Sequence, residues 1–190
     1  MVIDNRLTFS EHISVISRAA LTRAKLILKT FTSGNKELLI RAYITYVRPL
    51  LEYCSPVWSP HHQNLINKLE HVQRYFSKRI PGLWKTSYTD RLRILGLKTL
   101  EFRRVCSDLS LCYRIVYGLT DTSLSKFFRV KSDLRTRGHD LRIQLIPFKK
   151  DITKYLFINR TINIWNKLPA EVVHAASISA FKSKLLTINI

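Results

Sequence analysis

Apolar residues along most of this chain recur every three or four positions, which is the spacing of an amphipathic helix and not of a strand. The segments that follow this spacing are residues 10–31, 36–53, 60–79, 90–95 and 99–117. Pro49 lies inside the second segment, and we expect it to bend or end that helix near Arg48, because proline has no backbone N–H. The first two-thirds of the chain is therefore predicted to be a helical bundle.

The pattern changes after Gly118. Residues 129–140 are polar and basic without an apolar period, which predicts a loop, and residues 141–148 alternate as a strand would. Helical spacing returns at about 152–165 and 177–186. We expect a mainly α fold, with a helical bundle followed by a smaller α-rich C-terminal segment that contains a short strand or hairpin, and a boundary within 118–140.

Charge is the property that changes this picture most. The chain has 32 Lys and Arg against 13 Asp and Glu, a formal net charge of +19 and a pI near 10.3. A compact chain with this imbalance repels itself unless a polyanion neutralises it, so nucleic acid is the first candidate partner and an anionic membrane surface the second. A basic domain of ribosomal or housekeeping type fits the same composition. No stretch approaches 18 apolar residues, and we expect no membrane span.

Two segments concentrate the positive charge: residues 68–104 and residues 126–160 each hold ten Lys and Arg against three acids. Such a field suits phosphate binding, although a solvated basic surface would have the same composition. Tyr75, Trp84 and Tyr88 lie among the charges and could stack on bases or sugars, whereas Trp84 and Tyr88 could instead pack under the connector at 81–89. The residues expected to contact nucleic acid are His71, Arg74, Lys78, Arg79, Lys85, Arg103, Arg104, Arg137 and His139. For the last two, in a Thr-Arg-Gly-His stretch, a simple turn is an equal alternative.

Metal and catalytic chemistry are weakly represented. Cys54, His61 and His62 could converge, but no Cys-x-x-Cys or His-x3-His pair accompanies them, and Cys106 and Cys112 are spaced too far apart on a helix to chelate together. We expect core thiols, reduced and intracellular, with nucleus and cytoplasm equally open. The acids are scattered, and a Gly-x-Ser-x-Gly motif and a glycine-rich phosphate loop are both missing. The sequence thus predicts no catalytic residues, metal site, small-molecule ligand or cofactor.

Several motifs occur in a fixed order along the chain. The opening residues 2–13 come first. A run from 48 to 83 follows, with Arg-Pro-x-x-Glu-Tyr at 48–53, Val-Trp-Ser-Pro at 57–60 and a helix that ends in Arg-Ile-Pro-Gly at 79–82. Three further blocks lie at 86–104, 136–142 and 157–185. Together they resemble the region that follows the polymerase core in metazoan non-LTR (LINE-type) retrotransposon reverse transcriptases of the jockey-like group. Any one block would be weak, but the set covers nearly the whole chain in the expected order.

The resemblance implies that residues 1–8 are the remnant of the last palm strand, residues 9–118 a thumb-like helical domain and residues 119–190 a C-terminal extension. In such enzymes the thumb grips the template–primer duplex by its backbone while the palm performs RNA-directed DNA polymerisation. The expected partners are RNA, DNA or an RNA–DNA duplex, together with the upstream palm and fingers of the parent enzyme.

The catalytic Tyr-x-Asp-Asp motif of that family, and the Mg²⁺ it holds, would belong to a palm upstream of this sequence. Met1 within a family-like segment suggests a truncated or decayed copy, and we expect this chain to be inactive by itself. The alternative is a domesticated protein-interaction module without nucleic-acid function, for which an exposed Trp58, Trp84 or Trp165 would be the anchor.

Overall fold

The computed structural model describes residues 1–5, 7–32, 34–121, 128–129, 139–144 and 151–188, and this part of the chain is mainly α-helical, as the hydrophobic spacing predicts. It divides into two compact units, Met1–Arg103 and Arg104–Ile190. The division lies earlier than the boundary expected within 118–140. The assignment of a thumb-like domain to 9–118 and of an extension to 119–190 stays a prediction.

The first unit contains a succession of helices that follow the predicted segments closely. They are α1 (Ser10–Thr30), α2 (Lys36–Ala42), a π-helical turn (Tyr43–Val47), α3 (Arg48–Glu52), α4 (Ser55–Trp58), α5 (Gln63–Lys78), α6 (Tyr88–Ile94) and the start of α7 (Leu100–Val116). The residues ahead of α1 were expected to form a short strand. The Asp4 carboxylate instead accepts hydrogen bonds from the backbone N–H groups of Thr8 and Phe9, at 3.0 and 2.7 Å. The described residues ahead of α1 form no strand.

Helices α1 and α5 pack side by side in the same direction. The buried stripe of α1 includes Ala20 and Ala24, whose small side chains let α5 approach closely. The ends of both helices also meet, because a Cβ on Gly34 would lie 3.2 Å from the side chain of Pro81. Gly34 has a φ of +65°, so both its backbone and its surroundings favour glycine. This pair of helices forms the frame of the first unit.

Pro49 does not end its helix; it follows a π-helical turn. The N–H of Arg48 donates to the carbonyl of Tyr43, five residues earlier, and α3 then begins with Pro49 in its first turn. A proline ring collides with the carbonyl four residues before it, and the wider turn relieves that collision. The prediction that Pro49 ends the helix near Arg48 is wrong, and a local widening of the helix precedes the proline.

A buried carboxylate joins α5 to α6 and α7. The side chain of Glu70 is 4% exposed, and its oxygens accept the backbone N–H of Leu100 at 3.0 Å and the hydroxyl of Tyr88. Burial, followed by this hydrogen bond, raises the pKa of Tyr88 and keeps it a neutral donor. Gln73 adds bonds to the Tyr88 oxygen and the Lys98 carbonyl, both 3.0 Å. The connector between α5 and α7 is thereby tied to α5.

The second unit is built around Trp165. Its described residues form the rest of α7 and four further helices: α8 (Asp151–Lys154), α9 (Phe157–Trp165), α10 (Ala170–Val173) and α11 (Ile178–Thr187). Trp165 is fully buried, and its indole N–H donates to the Leu141 carbonyl at 2.8 Å. Trp165 is therefore a core residue and not an exposed anchor. Of the expected strand, residues 141–144 are described and show a single bridge at Ile143, while 145–148 lie outside the described residues.

Candidate nucleic-acid interface

Helix α5 has one apolar and one basic face, as its hydrophobic spacing predicts. Leu65, Leu69, Val72 and Phe76 are buried on the inner face, and the helix's single acid, Glu70, also lies inside. The outer face holds partly or fully exposed polar and basic residues: Lys68, His71, Arg74, Tyr75, Lys78 and Arg79. All the α5 residues expected to contact nucleic acid therefore lie on one side of one helix.

Helix α1 adds a second row of cations beside this face, which sequence reasoning did not identify. The Lys68 ammonium donates to Ser14 Oγ at 2.7 Å, and the Lys25 ammonium lies 5.9 Å from the centre of the Tyr75 ring. Arg18 and Lys29 are exposed and lie seven and four residues from Lys25, so they share its side of α1. We call this combined region the α1–α5 surface: Arg18, Lys25 and Lys29 with Lys68, His71, Arg74, Tyr75, Lys78 and Arg79.

Tyr75 is the aromatic centre of the α1–α5 surface. Its ring has the Arg79 guanidinium 3.4 Å from its centroid, and Arg79 Nη1 donates to the Tyr75 carbonyl at 3.1 Å. The His71 ring lies 6.4 Å away on the next turn. Arg79 is thus held against an aromatic ring while it stays exposed to solvent.

Tyr88, the second candidate for stacking, faces inward more than outward. Its hydroxyl bonds to Glu70 and its ring lies between two guanidinium groups, with Arg74 5.1 Å and Arg91 5.4 Å from the centroid. Arg91 is buried and donates to Ser77 Oγ at 3.1 Å. Tyr88 therefore positions Arg74 at the edge of the α1–α5 surface.

Trp84 and Lys85 lie exposed in the connector after α5. The Trp84 side chain is 64% exposed, and the Lys85 ammonium lies 4.7 Å from its ring. The alternative in which Trp84 packs under the connector is wrong. An exposed indole beside a lysine is a combination that can stack on a base while the cation contacts phosphate.

Arg103 is engaged by Glu52. Its Nη2 donates to Glu52 Oε2 at 3.0 Å and its Nε bonds to the other carboxylate oxygen, while Arg48 lies 3.8 Å from the same carboxylate. Arg48, one helical turn before Glu52, also pairs with it, and Arg103 is the closer partner. A guanidinium committed in this bidentate way is a poor candidate for binding phosphate.

Two of the expected contact residues are corrected by their burial. Arg104 is 2% exposed and lies near the Asp108 carboxylate. That carboxylate accepts two hydrogen bonds from Arg160, at 2.7 and 3.0 Å. His139 is 4% exposed, and its Nε2 lies 3.1 Å from the Trp165 carbonyl. Burial, the largest cause, lowers the pKa of His139, so the ring favours its neutral form. Arg104 and His139 are structural in the second unit, and Arg137 lies outside the described residues.

The residues considered for metal binding do not form a site. Cys54 is exposed, which corrects the expectation of a core thiol, whereas Cys112 is buried and Cys106 half-buried. The rings of His61 and His62 are 3.9 Å apart and exposed. Within the described ranges, no three His, Cys, Asp or Glu side chains are placed to hold a metal ion. No helix in the same ranges is long and apolar enough to span a membrane.

Comparison with known proteins yields one relative. An uncharacterized protein of Caenorhabditis elegans is 31% identical over 119 residues, an alignment that covers 61% of this chain and 60% of the relative. The chain therefore spans less than two-thirds of that protein. No protein-family profile matches the sequence, and no solved structure matches it.

Proposed function

We propose that this chain grips double-stranded nucleic acid by its sugar–phosphate backbone, as the thumb of a LINE-type reverse transcriptase does. The observation that supports the proposal is the α1–α5 surface, where seven cations lie on adjacent flanks of two parallel helices. Residues Lys68 to Arg79 extend along about 16 Å of α5, and a duplex presents on the order of ten negative charges over the same length. Neutralising part of that charge releases counterions, which drives binding.

Backbone contact, and not base reading, is the binding mode that this surface favours. Its charges lie along the sides of two packed helices, and neither helix protrudes as a separate element that could enter a groove. Lys and Arg contacts to phosphate set the position and orientation of a duplex without selecting its sequence. We therefore expect affinity to depend on salt and to vary little between sequences.

The proposal extends to the parent activity only through the resemblance. In this view the palm that would precede the chain performs RNA-directed DNA polymerisation with its own Mg²⁺, and the described residues hold the template–primer. The second basic segment, residues 126–160, lies largely outside the described residues, and its contribution stays a prediction. The competing hypothesis of a protein-interaction module loses two of its three anchors, because Trp58 and Trp165 are buried.

Binding of a fluorescently labelled RNA–DNA duplex, measured by anisotropy at several salt concentrations, tests this function. Replacing Arg74 and Lys78 together with alanine removes two charges from the α1–α5 surface. We expect weaker binding and a log–log salt slope reduced by about two, roughly one for each lost phosphate contact. The restoring variant Arg74→Lys/Lys78→Arg should keep the wild-type slope, which separates charge from packing against Tyr88.

The matched control is Arg41→Ala/Lys182→Ala, which removes the same charge from exposed positions on α2 and α11. It should leave the slope close to that of the wild type. Equal effects of both double variants would show that only net charge matters. Duplex binding that is absent, or independent of salt, would refute the proposed function.

A further inference from the structure

A cavity of about 510 Å³ lies between α6 and the first turn of α7, within the first unit. Its volume falls in the range of about 300–1,000 Å³ that small-ligand sites occupy. Leu92, Leu97 and Phe102 contribute apolar walls, and the half-buried Tyr88 lies at the side nearest α5. The cavity is therefore large enough, and apolar enough, to accept a flat ring system.

The turn that ends α6 keeps this cavity open. Gly96 has a φ of +62°, and the N–H of Leu97 donates to the Leu92 carbonyl at 2.9 Å, which closes α6 with a left-handed glycine. A Cβ at Gly96 would meet no atom within 4 Å, so this position borders open space and not a packed side chain. The opening is built into the backbone of the turn.

Positive charge surrounds the apolar walls. The Lys98 ammonium lies 5.3 Å from the centre of the Phe102 ring, so a cation and an aromatic face stand side by side at the cavity. Arg93 also lines it, with a side chain that is 80% exposed and paired to Asp90 at 2.9 Å. A ligand with an aromatic ring and an adjoining anionic group matches both features at once.

One side chain lies between the cavity and the α1–α5 surface. Tyr88 lines the cavity, and the Arg74 guanidinium of the α1–α5 surface lies 5.1 Å from the centre of the same ring. A strand held along α5 by its phosphates would therefore reach the cavity next to Arg74. The cations at the rim and the small volume disfavour an apolar helix of a protein partner as the occupant.

We propose that this cavity binds one unpaired nucleotide of a nucleic-acid strand, with the base between the apolar walls and the phosphate near Lys98. The inference rests on the proposed function, because a duplex on the α1–α5 surface delivers the strand. The cavity would then recognise the single-stranded end of a duplex, a preference that backbone contacts alone do not create.

Two labelled RNA–DNA duplexes with the same paired length test the inference, one blunt and one with an unpaired overhang that contains 2-aminopurine. We expect the wild-type chain to bind the overhanging duplex at least about fivefold more tightly, which is the lower end of the range for stacking of one base. The 2-aminopurine fluorescence should fall on binding, because the base leaves water and contacts an aromatic ring.

Thr89→Trp fills the cavity from α6, where Thr89 is exposed and lines it. This variant should lose the preference and the fluorescence change while its affinity for the blunt duplex stays unchanged. Thr187→Trp, at the exposed end of α11, is the matched control and should behave as the wild type. Lys98→Ala, which leaves the backbone bond of that residue in place, should reduce the preference if Thr89→Trp does not fold.

The outcomes separate the two proposals. Equal binding of blunt and overhanging duplexes by the wild type, or an overhang preference that survives in both Thr89→Trp and Lys98→Ala, would overturn the cavity inference and leave the proposed function intact. Conversely, if the duplexes fail to bind but the overhang strand alone binds and is lost in Thr89→Trp, the cavity inference stands without the proposed function.

Discussion

Replacing Glu70 with alanine tests whether the buried carboxylate holds the connector in place. The change removes the charged acceptor of two groups, the Leu100 N–H at 3.0 Å and the Tyr88 hydroxyl. A hydrogen bond to a charged group contributes about 1.5–3 kcal/mol, so the two bonds set an upper bound of ~3–6 kcal/mol. Part of that is offset because the variant no longer buries a carboxylate. We expect the free energy of unfolding of the first unit to fall by about 2–4 kcal/mol.

Urea denaturation measures this loss of stability, and hydrogen exchange followed by mass spectrometry shows which segments it affects. Peptides covering residues 80–102 should exchange faster in Glu70→Ala, whereas peptides of the second unit should not change. Glu70→Gln keeps one carbonyl oxygen for Leu100 and should cost about 1 kcal/mol. Glu101→Ala removes an exposed acid from the first turn of α7 and should cost roughly 0.5 kcal/mol. A Glu70→Ala variant as stable as Glu101→Ala, with unchanged exchange, would show that our account of the connector is incorrect.

Two further predictions concern pairs that the structure brings together. A double-mutant cycle on Glu52 and Arg103, using alanine at each position and urea denaturation, should give a coupling of about 1–2 kcal/mol, because the bidentate pair is half-buried. A coupling near zero would contradict this account. Folding lowers the pKa of His139, so the neutral ring stabilises the second unit at pH values above the ordinary histidine pKa of 6.5. That contribution is lost as the pH falls through the lower pKa of the folded state. The hydrogen-exchange protection of residues 157–173, taken relative to the intrinsic exchange rate at each pH, should fall over that pH range in the wild type and less so in His139→Gln. Identical pH profiles would refute the assignment.

Local spacing was sufficient to predict the helices and their inner faces. The inner residues of α5 recur every three or four positions, and all of them are buried. Helix α7 was expected to begin near Thr99, and Thr99 Oγ1 accepts the N–H of Phe102 at 3.1 Å. The Arg48–Glu52 pair is also local, because the two residues are one helical turn apart. Each of these predictions depends only on neighbours within a few positions.

Partners distant in sequence account for the errors. Arg104 and Arg103 are adjacent, but one is buried near Asp108 and the other reaches Glu52, which lies 51 positions away. A helical pattern gives the angle of a side chain around its own axis, and it does not give which elements cover that side. His139 failed for the same reason, since its covering residue, Trp165, is 26 positions away. Composition could identify these residues as basic but not as buried.

The motifs that carry the family resemblance bear mainly on folding. Glu52 of the Arg-Pro-x-x-Glu-Tyr motif bonds to Arg103 of the 86–104 block, and Pro81 of the Ile-Pro-Gly motif packs against Gly34. By contrast, the α1 cations that complete the α1–α5 surface lie outside every block: Arg18, Lys25 and Lys29. The positive row on α1 lies beside the one on α5, and its presence supports nucleic-acid binding independently of the resemblance.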